Sequence, residues 1–204
     1  MGDDTPADTL NRLPTNAASP NYGFPYCHAG VVADPDFKKT DPCSGVTQPV
    51  AALRPHVAVM GVQFYTGNIF PAEYKNALFV ASKGSWNRTQ KSGYDLVMVR
   101  ANADGGAAQI TPFITGFMDS SDQSFWGRPT YMLQLPDGSL LLPDEQLGAV
   151  YRITYARYVL PARIAPIFPG ADAVELLRVC LFCWYCGGSV ALGADPAIMC
   201  SMPR

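Results

Sequence analysis

The chain has 204 residues, 48% apolar and 16% charged, with 15 basic against 17 acidic side chains and a formal net charge of -2. That apolar share is enough for a packed core and excludes wholesale disorder, and no basic stripe offers an electrostatic footprint for nucleic acid. The most apolar stretch, residues 174–192, contains Glu175, Arg178 and the Gly187-Gly188 pair, which argues against a membrane span.

Eighteen glycines and 18 prolines interrupt helices and favour many short strands. Residues 1–60 read as loop, punctuated by Pro6, Pro14, Pro20, Pro25, Pro35, Pro42, Pro49 and Pro55. Within them Cys27 and Cys43 flank a Pro/Asp-rich loop. Their spacing is compatible with one disulfide in an oxidising compartment, and equally with two free, buried thiols. Residues 61–155 alternate short apolar runs with turn signals. Pro71-Ala72-Glu73-Tyr74 predicts one helical turn, since Pro at the first position lacks only an N–H that no helix needs there. Strands are predicted at residues 77–81, 95–99, 131–135, 139–142 and 149–154, each too short for an ordinary helix. Asp137-Gly138 between two apolar runs is the strongest hairpin signal, because Gly accepts the positive φ of a tight turn; Asp104-Gly105-Gly106 is a looser version. No period is clean enough to prove repeats, so the pattern supports an all-β class: sandwich, barrel or propeller.

From Ala156 onward Pro161, Pro166 and Pro169 lead into an apolar segment and a Cys/aromatic cluster that do not continue the strand pattern. Cys183-Trp184-Tyr185-Cys186 is a CxxC, with Cys180 upstream and Cys200 far downstream. Haem attachment needs His after the second Cys, where Gly187 stands, and zinc lacks a near fourth ligand. His28 and His56 do not form a catalytic pair, and no Ser or Cys nucleophile sits in an elbow or triad context.

Eight segments in consistent order resemble the glucose/sorbosone dehydrogenase family, soluble sugar dehydrogenases that use pyrroloquinoline quinone (PQQ). They are Gly2-Asp3-Asp4 with Asp8-Thr9-Leu10-Asn11, residues 21–27 (NYGFPYC), 64–67 (FYTG), 70–74 (FPAEY), 84–88 (GSWNR), 126–129 (WGRP), 135–140 (LPDGSL) and 148–155 (GAVYRITY). The resemblance implies an all-β, partial six-bladed β-propeller holding about the last half of the blades in residues 1–155. Residues 156–204 are then a non-propeller tail, poorly ordered or not native to the protein. The parent enzyme implied is an oxidoreductase that transfers hydride from an aldose or related sugar to PQQ and then to an electron acceptor. Export to the periplasm or beyond is implied too, in agreement with a Cys27–Cys43 bridge and with a signal peptide lost along with the missing front. In the family the catalytic His lies on earlier blades, so this fragment is expected to be inactive alone. Unpaired blade edges favour self-association. The alternative is a non-catalytic propeller module completed by a partner chain.

The chemistry of the cofactor singles out particular residues. PQQ is a planar orthoquinone with three carboxylates, so its site needs fixed cations and a metal that polarises the quinone. Arg128 matches a cofactor-gripping Arg of the family, and Lys83 lies near a quinone-contacting Lys of glucose-oxidising members. Sorbosone-type members carry His immediately before GSWNR, and this chain departs from that with Lys83. Asn87 and Arg88 line the same funnel or hydrogen-bond their own loop. Trp86 and Trp126 stack on ligand or in the core. Asp3 and Asp4 fall near the family's Ca2+-binding segment, paired carboxylates suiting a hard cation, or else form an exposed acidic terminus.

Overall fold

The computed structural model describes residues 1–16, 19–155, 179–182 and 189–192. Its strands, in chain order, are β1 (Ala7–Leu10), β2 (Cys27–His28), β3 (Val32–Ala33), β4 (Ala51–Pro55), β5 (Val59–Phe64), β6 (Leu78–Ser82), β7 (Asp95–Arg100), β8 (Gln109–Ile114), β9 (Leu133–Gln134), β10 (Leu140–Asp144), β11 (Ala149–Ile153), β12 (Val179–Phe182) and β13 (Ser189–Leu192). The single helical turn among the described residues, Ala72–Tyr74, is a 3-10 turn that follows Pro71, as the sequence predicts. The described residues are thus all-β, with no helix long and apolar enough to cross a membrane.

All pairing is antiparallel. The largest sheet is a meander, β5-β6-β7-β8, joined by three successive reversals. Its two inner strands are apolar on both faces, LFVAS and DLVMVR, because both faces are covered. Successive side chains alternate between the faces. Phe79, Ala81, Leu96 and Met98 pack with Leu140, Leu142, Tyr151 and Ile153 of the three-stranded sheet β9-β10-β11. Leu78, Val80, Val97 and Val99 pack with Leu53 of β4 and the partly buried Leu10 of β1. Three sheets are therefore stacked face to face, with the meander in the middle. They do not close into a ring among the described residues, so the number of blades is not fixed by this structure.

The predicted Asp137-Gly138 hairpin joins β9 to β10, with Gly138 at φ +87° and its N–H donating to the Leu135 carbonyl. Asp104-Gly105-Gly106 turns β7 into β8, with Gly105 at φ +88°. The region read as loop contains structure after all. β1 pairs with β4, more than forty residues away, and Cys27 and Cys43 are joined in a disulfide that closes the loop around β2 and β3. Inside the tail, the backbone of β12 pairs with β13, which corrects the expectation that no strand pattern continues there. The CxxC of Cys183 and Cys186, with Cys200, lies outside the described residues.

Candidate functional site

The meander and the three-stranded sheet end side by side, and the residues just past their strand ends meet. Lys83 follows β6 directly, and its N–H donates to the Ala58 carbonyl at 3.1 Å. Glu145 follows β10 directly, and its N–H donates to the Arg128 carbonyl at 3.2 Å. Arg128 runs alongside β10 through the bridge between Pro129 and Asp144.

Asp144 is the anchor of this corner. Buried to 2% exposure, its carboxylate accepts the N–H groups of Arg128 (3.0 Å), Gln146 (2.8 Å) and Leu147 (3.2 Å) and the Tyr151 hydroxyl (2.9 Å). One acid therefore fixes both the β10–β11 turn and the backbone of the WGRP segment. The Gly of that segment is required sterically: a Cβ on Gly127 would lie 2.3 Å from the Phe117 ring and 2.6 Å from Asp144.

Two cations converge on one carboxylate oxygen. Lys83 Nζ lies 2.8 Å and Arg128 Nη1 3.4 Å from Oε1 of Glu145. Arg128 Nη2 donates to the Gly84 carbonyl at 3.2 Å, while its Nε is buried with no hydrogen-bond partner among the described residues. The guanidinium also lies 5.9 Å from the Tyr94 ring centre and 5.8 Å from that of Phe125. Burial pushes the Tyr94 phenol above its ordinary pKa, and the nearby guanidinium and a hydrogen bond with Ser85 pull it partly back. With Asp144 beneath them, the two cations and two acids of the corner balance formally, and Glu145 is the one acid that both cation side chains reach.

The loop between β6 and β7 is folded tightly over this corner. Tyr94 donates its hydroxyl proton to the Ser85 carbonyl at 2.5 Å, and Ser85 N–H donates to the Ser92 carbonyl at 2.8 Å. Gly84, at φ +108°, lies against the Tyr94 ring, which a Cβ there would approach to 2.5 Å. Trp86 and Asn87 stand out at the loop's tip, Trp86 81% exposed. Trp126 instead packs on Phe117, ring centres 4.8 Å apart, and donates its indole N–H to the Gly116 carbonyl.

The structure thus brings together Lys83 and Arg128 of the residues singled out in the sequence, and adds Glu145. It places Arg88 elsewhere. Arg88 Nη1 donates to the carbonyls of Asp3 and Pro55, and Nε to that of Gln90, stitching the N-terminal segment to the β6–β7 loop. Asp3 accepts the Thr89 N–H at 2.9 Å, which lowers its pKa, and Asp4, 93% exposed, lies 3.4 Å from Arg88. Among the described residues no group of three or more His, Cys, Asp or Glu side chains is placed to hold a metal ion. His56 reaches the Gly2 and Thr5 carbonyls, and His28 pairs with Asp34 at 2.7 Å. Two clefts, of about 290 and 580 Å³, are lined by none of Lys83, Arg128 and Glu145; one runs along Arg54 and Asp95 beside β4 and the other around Arg12 and Asp104. Glu145 escaped the sequence reading because an acid after Asp144 resembles any polar turn. No local signal marked it, because the strand predicted at 139–142 stops short of the Asp144 end that places Glu145 at the corner.

A family model described as TrAA12-like matches residues 29–115, from the loop before β3 to the end of β8. An uncharacterized protein of Borreliella burgdorferi is 33% identical over 159 residues, which cover 77% of this chain and 41% of that protein. The calcium structure of a Trichoderma reesei carbohydrate-active enzyme of family AA12 shares the fold at a TM-score of 0.56, with 20% identity over 74% of this chain and 43% of its own. The holo form of a pyranose dehydrogenase PQQ domain from Coprinopsis cinerea superposes at a TM-score of 0.49, with 22% identity over 74% of this chain and 44% of its own. The chain spans less than half the length of these relatives.

Proposed function

We propose that the Lys83–Arg128–Glu145 corner is one side of the PQQ site of a sugar oxidoreductase related to the glucose/sorbosone dehydrogenases. The observation that carries the reading is a pair of fixed cations sharing a single carboxylate oxygen, with a buried guanidinium N–H still lacking an acceptor. Buried donors are normally satisfied, so an unfilled one beside two neighbouring cation side chains suits an anionic ligand. The ordered motifs and the TrAA12-like match support the same reading.

These residues fit a planar polycarboxylate. Arg128 is suited to a carboxylate edge, and Lys83 to a carboxylate or quinone oxygen as a point charge. Trp86 offers an exposed flat ring at the loop tip, and Asn87 beside it an amide for hydrogen bonding. Arg88 acts at one remove, since its bonds to Asp3, Pro55 and Gln90 hold the loop that carries Trp86. PQQ, when bound, supplies the two-electron acceptor for hydride from an aldose. The side chains of this corner orient and neutralise; none is a base placed to take a hydroxyl proton, a role the family resemblance gives to a His outside this chain. Asp3 and Asp4 do not by themselves supply the roughly six to eight oxygens that Ca2+ takes. In this reading the parent acts outside the cytoplasm, where the Cys27–Cys43 disulfide persists.

The test is titration of the purified chain with PQQ, followed by tryptophan fluorescence and calorimetry. Saturable binding that weakens at least about tenfold in Arg128→Ala supports the reading. Absent binding, or binding indifferent to Arg128, overturns it. With an aldose and an artificial electron acceptor, the chain alone is expected to show no turnover above a protein-free control.

A further inference from the structure

Of the three charged side chains only that of Arg128 is held by backbone; Lys83 and Glu145 are anchored at their own N–H groups. Lys83 is fixed through its N–H on Ala58, and Arg128 through its N–H on the Asp144 carboxylate and its Nη2 on Gly84. Their side chains are 22% and 19% exposed, against 41% for Glu145. The backbone of Glu145 is pinned by its N–H on Arg128, but its side chain meets the corner only through Oε1, near Lys83 and Arg128. Lys83 and Glu145 can each leave by side-chain rotation alone, and the acid is the more exposed of the two. Ion pairs of this exposure are weak, because water screens them and holding a long side chain costs entropy.

We infer that Glu145 is a resident stand-in for a ligand carboxylate: it neutralises Lys83 and Arg128 until a polyanion takes its place, and so sets this corner's affinity for anions. The inference rests on the cofactor reading above. Its physical basis is competition. Oε1 lies where a ligand oxygen would make the strongest charge-assisted contacts with both cations. A ligand carboxylate must displace it, and the displaced acid stays tethered nearby as a like charge. Neutralising Glu145 without changing its size removes both obstacles.

The experiment compares the wild-type chain, Glu145→Gln and Glu145→Asp by fluorescence titration with PQQ. A second probe, benzene-1,2,4-tricarboxylate, carries three carboxylates but no quinone. Glu145→Gln is expected to bind both about tenfold more tightly than wild type, with the gain disappearing in a Glu145→Gln/Lys83→Ala double variant. Glu145→Asp keeps the charge on a shorter stem and is expected to stay within about threefold of wild type. Unchanged or weaker binding by Glu145→Gln, with a cooperative thermal transition showing that the variant folds, overturns the inference. If wild type binds PQQ through Arg128 while Glu145→Gln gives no gain, the stand-in role alone fails. If neither form binds either probe, the cofactor reading and the inference fall together.

Discussion

Arg88 and Arg128 are both singled out by the sequence as candidate cofactor ligands. Their surroundings give them opposite work. Arg88 directs Nε and Nη1 to carbonyls of Gln90, Asp3 and Pro55, three points on separate segments, and Nη2 to the exposed Asp4 carboxylate. Arg128 gives one nitrogen to the Gly84 carbonyl, one to a carboxylate shared with Lys83, and keeps a buried Nε without an acceptor. An arginine whose donors are taken by backbone carbonyls and a neighbouring carboxylate is a clamp. One with donors left over, beside a second cation, is prepared for something anionic. The residue type is the same; the acceptors within reach decide.

The largest effect expected is at the acid that supports the Arg128 side of this contrast. Asp144→Ala leaves three N–H groups and a buried tyrosine hydroxyl without their acceptor, and should cost about 4 kcal/mol of stability. Chemical denaturation measures it. The companion change Tyr151→Phe removes only one of those contacts and should cost about 1 kcal/mol. An Asp144→Ala protein as stable as wild type would show that the corner does not depend on this carboxylate.

The contrast itself is tested by truncating each arginine. Arg88→Ala frees carbonyls on three segments and should destabilise by about 2–3 kcal/mol, with PQQ affinity, measured on protein that is still folded, within about threefold of wild type. Arg128→Ala should do the reverse: at least about tenfold weaker PQQ binding and less than about 1 kcal/mol of stability, since Lys83 still neutralises Glu145. If both variants lose affinity and stability in the same proportion, the distinction between clamp and ligand is wrong.

How much of this could be read beforehand depends on the range of the interactions involved. The inner strands β6 and β7 and the β9–β10 hairpin were legible because apolar runs and Asp-Gly turns are local signals. β1 and β4 were not, because each finds its partner across some forty residues of proline-punctuated chain, and no local pattern encodes that pairing. β8 was hidden by Pro112, which an edge strand tolerates and a central one does not. Within the site, Lys83 and Arg128 could be picked out by motif, but the role of Arg88 depends on carbonyls of Asp3 and Pro55. Backbone acceptors carry no mark in the sequence, and they separate the two arginines.

The same division applies to carboxylates, and there it gives the smallest predicted effect. Glu145 is partly exposed and engaged through one oxygen, whereas both oxygens of Asp34 are taken. His28 Nε2 lies 2.7 Å from Oδ2, and the N–H groups of Asp36 and Phe37 donate to Oδ1 at 2.8 and 3.0 Å. Led by the His28 hydrogen bond, these contacts lower the Asp34 pKa from 3.8 to about 2. A carboxylate with a depressed folded-state pKa adds stability that is fully present above its unfolded value and is lost as pH falls through the folded one. Asp34 should therefore stabilise the disulfide-closed loop above about pH 4 and cease to do so near pH 2. Asp34→Asn keeps an acceptor for the two N–H groups but has no proton to gain, so its melting temperature should run below that of wild type at pH 5. The two curves should draw together as pH falls to 2. A gap that stays constant across that range would mean that the contacts around Asp34 do not favour its ionised form, and that the loop is held by the Cys27–Cys43 bond and its backbone hydrogen bonds instead.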